Sequence, residues 1–235
     1  MTSFQKVIDI VIPVLDEERF LTESISSVLK FSIPRDVTIM IYIIDGGSKD
    51  QTLIIAENFA EKYTNIVVLN NKQKIAAAAL NIAINIGKGD YLMRLDAHSI
   101  YPINYLEECY KTLERTNAIN VGGLAITEPG NDSYSAALVQ SLTTHWFGVG
   151  DSGFRTNAKE GPSDTVPYGF FDKRVFKKIG LYDERLVRAQ DYEMNNRIIK
   201  NNGLIWLNPK IFFYYKNQSS LYKFYKKQIL KEAPY

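Results

Sequence analysis

At 235 residues the chain is long enough for one large domain or two small ones, with a substantial buried core. A hydrophobic content of 46% and a charged content of 23% are those of an ordinary globular protein, and a net charge of +2 argues against a dedicated nucleic-acid binder. A single cysteine, Cys109, excludes an internal disulfide and a thiolate zinc site and suits a reducing compartment, and no apolar run reaches the ~20 residues needed to span a bilayer.

Residues 7–14 form a nearly continuous Val/Ile run, the pattern of a strand buried on both faces, with no signal-peptide pattern before it. Residues 18–30 carry a helical stripe of Phe20, Leu21, Ile25, Val28 and Leu29. A second strand is predicted at 37–44, a helix at 53–63, a third strand at 66–69 and an alanine-rich helix at 74–86. A fourth strand at 91–95 precedes a helix at 102–115, where Cys109 reads as a buried small side chain. Strands alternating with helices imply a parallel sheet joined by right-handed crossovers.

The second half is less regular. A strand is predicted at 120–126, a helix at 134–144 and a long irregular loop at 148–165, a length that is usually functional or disordered. A strand at 166–171, a helical turn or two at 173–179, a helix at 191–200 and two short strands, 204–207 and 211–215 around Pro209, complete the pattern. With no repeat and no linker, the reading is one α/β domain, a Rossmann-like sandwich whose mainly parallel central sheet carries helices on both faces. Beyond it, aromatics and lysines mix over 211–235, which suits either an anionic membrane surface or a packed helix with solvated lysines.

Ligands of parallel sheets bind outside the carboxyl ends of the strands. Three polar clusters fall there: Asp16-Glu17-Glu18, Asp45-Gly46-Gly47-Ser48-Lys49-Asp50 and Asp96-Ala97-His98. Asp96 and His98, at i and i+2 on an extended chain, point to one side and can share a divalent cation. The plainer reading makes Asp96 a helix cap and His98 a loop histidine. Asp45 is placed to accept hydrogen bonds from a nucleobase or ribose, while Asp50 suits a helix cap. Lys74 or Lys72 can add positive charge near phosphates, or be solvated. Neither a G-x-x-x-x-G-K-[ST] nor a G-x-G-x-x-G loop is present. A carboxylate and an imidazole together suit Mn²⁺ somewhat better than Mg²⁺.

The run Ile10-Val11-Ile12-Pro13-Val14-Leu15-Asp16-Glu17-Glu18, the Asp45 loop and Gly89-Asp90-Tyr91-Leu92-Met93-Arg94-Leu95-Asp96-Ala97-His98 together resemble glycosyltransferase family 2. Tyr168-Gly169-Phe170-Phe171, Gln190-Asp191-Tyr192-Glu193 and Ile205-Trp206-Leu207-Asn208-Pro209 extend the resemblance over nearly the whole chain. Phe147-Gly148-Val149-Gly150-Asp151-Ser152 is similar to the succinoglycan-type exopolysaccharide members. The resemblance implies a glycosyltransferase A fold, with a nucleotide-sugar half at 1–118, an acceptor and catalytic half at 119–210, and the tail at 211–235. It implies inverting transfer of one sugar from a nucleotide-sugar, a UDP-sugar foremost, to a saccharide or lipid-linked acceptor in polysaccharide biosynthesis. It places Asp45, with Pro13 and Glu17, at the nucleotide, Asp96 and His98 at the metal, and Asp191 as the catalytic base. From its position alone Asp191 reads as a helix N-cap, a role compatible with the other.

Departures are present. Leu15-Asp16 stands for the usual Tyr-Asn, Gly46 for a second Asp, His98 for the second metal carboxylate and Gln190 for a Glu. No Gln-x-x-Arg-Trp follows Pro209, which implies non-processive transfer. His145-Trp146 is expected as a packed aromatic pair or part of the acceptor side. The implied setting is cytoplasmic, at the inner membrane face, with peripheral contact through the tail. The competing functions are a nucleotidyltransferase, which wants a basic phosphate loop where Asp16-Glu17-Glu18 stands, and a non-catalytic nucleotide-sugar-binding scaffold.

Overall fold

The computed structural model describes residues 5–128 and 159–216. The expected helix at 134–144, residues 145–158 with His145, Trp146 and the 147–152 segment, and the tail past 216 lie outside the described residues.

Strand β1 (Lys6–Val14) is apolar apart from Lys6 and Asp9 because it lies inside the sheet, with β2 (Val37–Asp45) and β4 (Tyr91–Arg94) parallel to it on either side. Strand β3 (Ile66–Asn70) extends the sheet beyond β2. On the far side of β4 lies a three-residue strand, β8 (Phe170–Asp172), antiparallel to β4 and to β6 (Asn120–Glu128). Strand β9 (Ile205–Lys216) runs parallel to β6, and β5 (Ser99–Ile100) and β7 (Gly161–Pro162) pair against it. The order is β3-β2-β1-β4-β8-β6-β9-β5, with β7 beside β9, so β5, β7 and β8 oppose an otherwise parallel sheet.

Alternation along the strands builds two cores. Ile8, Ile10 and Ile12 of β1 meet Leu21, Ile25 and Val28 of α1 (Leu21–Val28) and Leu106, Cys109 and Leu113 of α4 (Tyr105–Thr116). Ala56 of α2 (Thr52–Lys62) joins the same layer. Val11 and Leu92 face the opposite layer, made by α3 (Ala76–Ile86), α5 (Arg174–Ile179) and α6 (Gln190–Lys200). Each fully buried Leu, Ile or Val there stabilises the packing by roughly 1.5–3 kcal/mol. The product is the expected sandwich, helices on both faces of one sheet. Cys109 is buried in it, as a packing side chain.

Several boundaries differ from the sequence reading, each for a backbone reason. Strand β8 begins at Phe170 rather than 166, because Tyr168 (φ 60) and Gly169 (φ 43) turn the chain first. The predicted strands at 204–207 and 211–215 are one strand, β9. Its partner β6 shifts register between Gly122 and Leu124, and opposite that bulge Pro209 is accommodated. Gly123 permits the close approach: a Cβ on it would stand 1.6 Å from the Ile211 carbonyl oxygen. Helix α3 begins at Ala76, not 74, because Lys74 takes φ 61. Helix α6 begins at Gln190 with Ala189 (φ 57) as its N-cap, so Asp191 is a first-turn residue and not the cap. The two-residue strands β5 and β7 are too short to show periodicity.

Candidate active site

The carboxyl ends of β1, β2 and β4 meet at one edge, and the loops leaving them interlock. Asp16, itself in the left-handed region (φ 56), accepts the Lys49 N–H at 2.7 Å, and the Ser48 hydroxyl accepts the Asp16 N–H at 3.0 Å. Thr52 Oγ1 accepts the Glu17 N–H at 2.7 Å, and Asp50 and Glu18 exchange bonds with the loops opposite them. Asp50 also accepts the Thr52 N–H at 2.9 Å at the start of α2, but the N-cap position is Gln51 and not the expected Asp50. The loop after β1 is thereby held against the loop after β2, and Glu17 is carried into the space beneath β4.

There Glu17 meets Asp96 and His98. His98 Nδ1 lies 2.8 Å from Asp96 Oδ1 and 3.1 Å from Glu17 Oε1, and one ligand atom from each of the three residues lies within 4.8 Å of the others. Burial alone would lower the His98 pKa, but the Asp96 charge and the hydrogen bonds to Asp96 and Glu17 raise it far above the ordinary histidine value. Burial pulls the Asp96 pKa up, and His98 and Arg94 together hold it below the usual carboxylate range. Two carboxylate oxygens and an imidazole nitrogen at this spacing are a donor set that fits Mn²⁺ or Mg²⁺. The predicted pair Asp96 and His98 is brought together, and Glu17, assigned by sequence to the nucleotide, joins them. Tyr101 fixes the turn, its hydroxyl accepting the Asp96 N–H at 2.7 Å. The Tyr215 ring packs edge-on against His98, centroids 4.9 Å apart.

The second predicted group gathers beside it. Asp45 is buried, and its carboxylate accepts the Gly47 N–H at 2.8 Å, the Ser48 N–H at 3.2 Å and the Ser48 hydroxyl at 2.5 Å. Its oxygens therefore shape their own loop. Gly47 (φ 80) suits the turn, and the exposed Lys74 side chain passes over it: a Cβ on Gly47 would lie 3.7 Å from Lys74 Nζ. Pro13 pairs in register with Ile44 one step before the loops, and Lys72 is solvent-exposed.

Asp191 is reached from the same strand through Arg94, a partner that sequence reasoning missed. Arg94 ends β4 with its side chain on the α6 side of the sheet, and its guanidinium Nη1 pairs with Asp191 Oδ1. The available signal was period two: Arg94 precedes Asp96 by two residues on an extended segment. The same edge contains Tyr182, buried between α5 and α6, whose backbone N–H and carbonyl are both engaged by the Asn81 side-chain amide at 2.9 Å. Glu184 ties this loop to the donor side, accepting from Asn81 at 2.8 Å and from Gln73 at 2.6 Å. A cavity of about 870 Å³ sits at the opposite end of the strands, lined by Lys6, Lys88, Asp90, Lys173, Arg174 and Lys177, and takes no part in this site.

With this geometry in hand, the chain can be set beside known proteins. A family model described as "Glycosyl transferase family 2" matches residues 9–180. The chain is 28% identical over 229 residues to the dolichyl N-acetyl-alpha-D-glucosaminyl phosphate 3-beta-D-2,3-diacetamido-2,3-dideoxy-beta-D-glucuronosyltransferase of Methanococcus voltae, covering 94% of this chain and 70% of that protein. It is 30% identical over 214 residues to the succinoglycan biosynthesis protein ExoA of Rhizobium meliloti, covering 90% and 64%. Its fold is similar to residues 1–349 of TarS from S. aureus, solved with UDP-GlcNAc (TM-score 0.70, 16% identity, 97% of this chain and 61% of that one). It is equally similar to the mannosyltransferase PcManGT of Pyrobaculum calidifontis, solved with GDP-Man and Mn²⁺ (TM-score 0.70, 14% identity, 97% and 65%). The architecture is the glycosyltransferase A fold that these neighbours share. The chain spans less than two thirds of ExoA and of both solved proteins.

Proposed function

Because this chain belongs to glycosyl transferase family 2, we propose that it moves one sugar, with inversion, from a UDP-sugar to a saccharide or lipid-linked acceptor during glycan assembly. The observation that carries this reading is that the end of β4 leads to both groups: Asp96 and His98, which gather with Glu17, and Arg94, which pairs with Asp191. The first group suits the diphosphate of a donor, and the second suits the face from which an acceptor attacks. The names of the similar proteins support the substrate classes, since they include UDP-GlcNAc and GDP-Man complexes and a dolichyl phosphate sugar acceptor.

In this reading Pro13, Asp45 and Lys74 border the nucleotide, with Asp45 holding the loop that the base and ribose contact and Lys74 adding charge near the phosphates. Glu17, Asp96 and His98 would hold a divalent cation, which would supply positive charge at the diphosphate leaving group. Asp191 accepts the proton of the acceptor hydroxyl as that oxygen attacks the anomeric carbon. Attack opposite the departing diphosphate inverts the configuration. Transfer ends after one sugar. Among the described residues no helix is long and apolar enough to cross a membrane, and a lipid-linked acceptor would be met peripherally, at the inner face of the cell membrane, through the basic tail.

The test is a thermal-shift screen of nucleotide-sugars with and without Mn²⁺, followed by turnover assays on the binder. One UDP-sugar is expected to raise Tm only with Mn²⁺, and Asp96→Ala to abolish the rise. Asp191→Asn is expected to keep the shift and lose turnover by about 100-fold or more. Full binding with no turnover by the wild-type chain would instead identify a scaffold that binds the donor without using it.

A further inference from the structure

Pairing a carboxylate with a guanidinium weakens it as a base, so the Arg94–Asp191 contact needs a reason. Arg94 is encased: its side chain is 9% exposed, and Nε has no hydrogen-bond partner among the described residues. The engaged edge of the guanidinium is the Nη1 edge on Asp191. Below it the Tyr168 ring lies 5.6 Å from the guanidinium carbon, and the Arg94 N–H donates to the Gly169 carbonyl at 3.1 Å. Tyr168 in turn packs on Phe213, centroids 4.5 Å apart, and contacts the Ser99 hydroxyl at 3.3 Å. Two non-glycine residues in the left-handed region flank the pair, Tyr168 (φ 60) on the arginine side and Ala189 (φ 57) two residues before Asp191. Such conformations cost of order 1–3 kcal/mol each and persist where the surroundings impose them. Here they set the support under Arg94 and the entry of α6.

We infer that Arg94 is a positioning residue, which fixes the Asp191 carboxylate relative to the cluster of Glu17, Asp96 and His98 from the same strand end that leads to Asp96. The inference rests on the reading of Asp191 as the base. A planar guanidinium whose support is rigid sets direction as well as distance. A carboxylate has two oxygens, so fixing Oδ1 leaves Oδ2 of the same group to take the acceptor proton. Asp191 itself lies on the first turn of a helix entered through Ala189, a residue in the left-handed region.

The experiment uses the full chain, Mn²⁺ and the nucleotide-sugar that the wild-type protein turns over, with Arg94→Met, Arg94→Lys, Asp191→Asn and the Arg94→Met/Asp191→Asn double variant. Arg94→Met is expected to lower kcat by about 100-fold, the scale of a misplaced reacting group, with the donor KM within about twofold and Mn²⁺ affinity not weakened. Arg94→Lys, which keeps the charge without the fork, is expected to recover about tenfold of that loss. The double variant is expected to be no slower than Asp191→Asn alone, because Arg94 acts only through Asp191. A purely structural role would move none of these separately, and Arg94→Lys carries the comparison if Arg94→Met fails to fold. An unchanged kcat for Arg94→Met beside an inactive Asp191→Asn overturns the positioning role and leaves the base intact. A loss confined to donor KM, or a further loss in the double variant, overturns it equally. A fully active Asp191→Asn defeats the underlying reading instead.

Discussion

Lys173→Met tests the buried ion pair inside the sheet, at the other end of the strands from the site. Asp9 lies in the middle of β1 with its side chain 0% exposed, and its Oδ2 accepts from Lys173 Nζ at 2.7 Å and from the Gly89 N–H at 2.8 Å. Lys173, 11% exposed, also donates to the Gly87 carbonyl at 2.6 Å. Asp9 Oδ1 already has no partner, so removing the ammonium leaves a carboxylate without compensating charge at the centre of the sheet. Breaking a buried pair from one side costs about 3–5 kcal/mol, a large part of the roughly 5–15 kcal/mol that holds a domain together. Urea denaturation followed by far-UV circular dichroism measures it, and the midpoint should fall with an unchanged slope. Replacing both partners, Asp9→Leu with Lys173→Met, should recover most of the loss, because the desolvation penalty disappears along with the attraction. A single variant within about 1 kcal/mol of wild type, the value of an exposed pair, would refute the reasoning.

Glu17→Gln should weaken Mn²⁺ binding by about tenfold or more while leaving the metal-free melting temperature nearly unchanged, since Glu17 and His98 are each partly exposed. Calorimetric titration with Mn²⁺ measures this, and equal affinity would remove Glu17 from the ligand set. Gly123→Ala should prevent β6 and β9 from pairing, because the atom it would strike is a backbone oxygen that cannot step aside. A loss beyond about 4 kcal/mol, or insoluble chain on expression, is expected, and a melting temperature within a few degrees of wild type would show that the bulge can open.

The parallel half was legible because its physics is local to each segment. A strand buried on both faces needs an apolar run, as at Ile10–Val14, and a packed helix needs a stripe, as at Leu21, Ile25 and Val28. The candidate ligands Asp96 and His98 were legible for the same reason, being two residues apart on one extended segment. Glu17 and Arg94 were not, because their roles come from partners 81 and 97 residues away, which no local pattern encodes. Strand β8 was misplaced at its start because two left-handed residues interrupt an apolar run that still reads as strand. The cap of α6 was misassigned to Asp191 because aspartate is a common cap, whereas Ala189 achieves the turn with its backbone alone.

Strand β8 also carries a consequence for the order of folding. It is three residues long, yet it is the only bridge between β4 and β6 in the strand order of the described residues. During synthesis β1 to β4 can assemble as soon as they emerge, but β6 must wait for residues 170–172 before it joins them. Tyr182, held by Asn81 from 101 residues back, and Asp191, paired with Arg94 from 97 residues back, come later still. Closing loops of that span is slow compared with pairing neighbouring elements. In the proposed reading the chain therefore gathers Glu17, Asp96 and His98 early and acquires Asp191 last, so a nascent or truncated chain would have the donor side of the site before its proposed base.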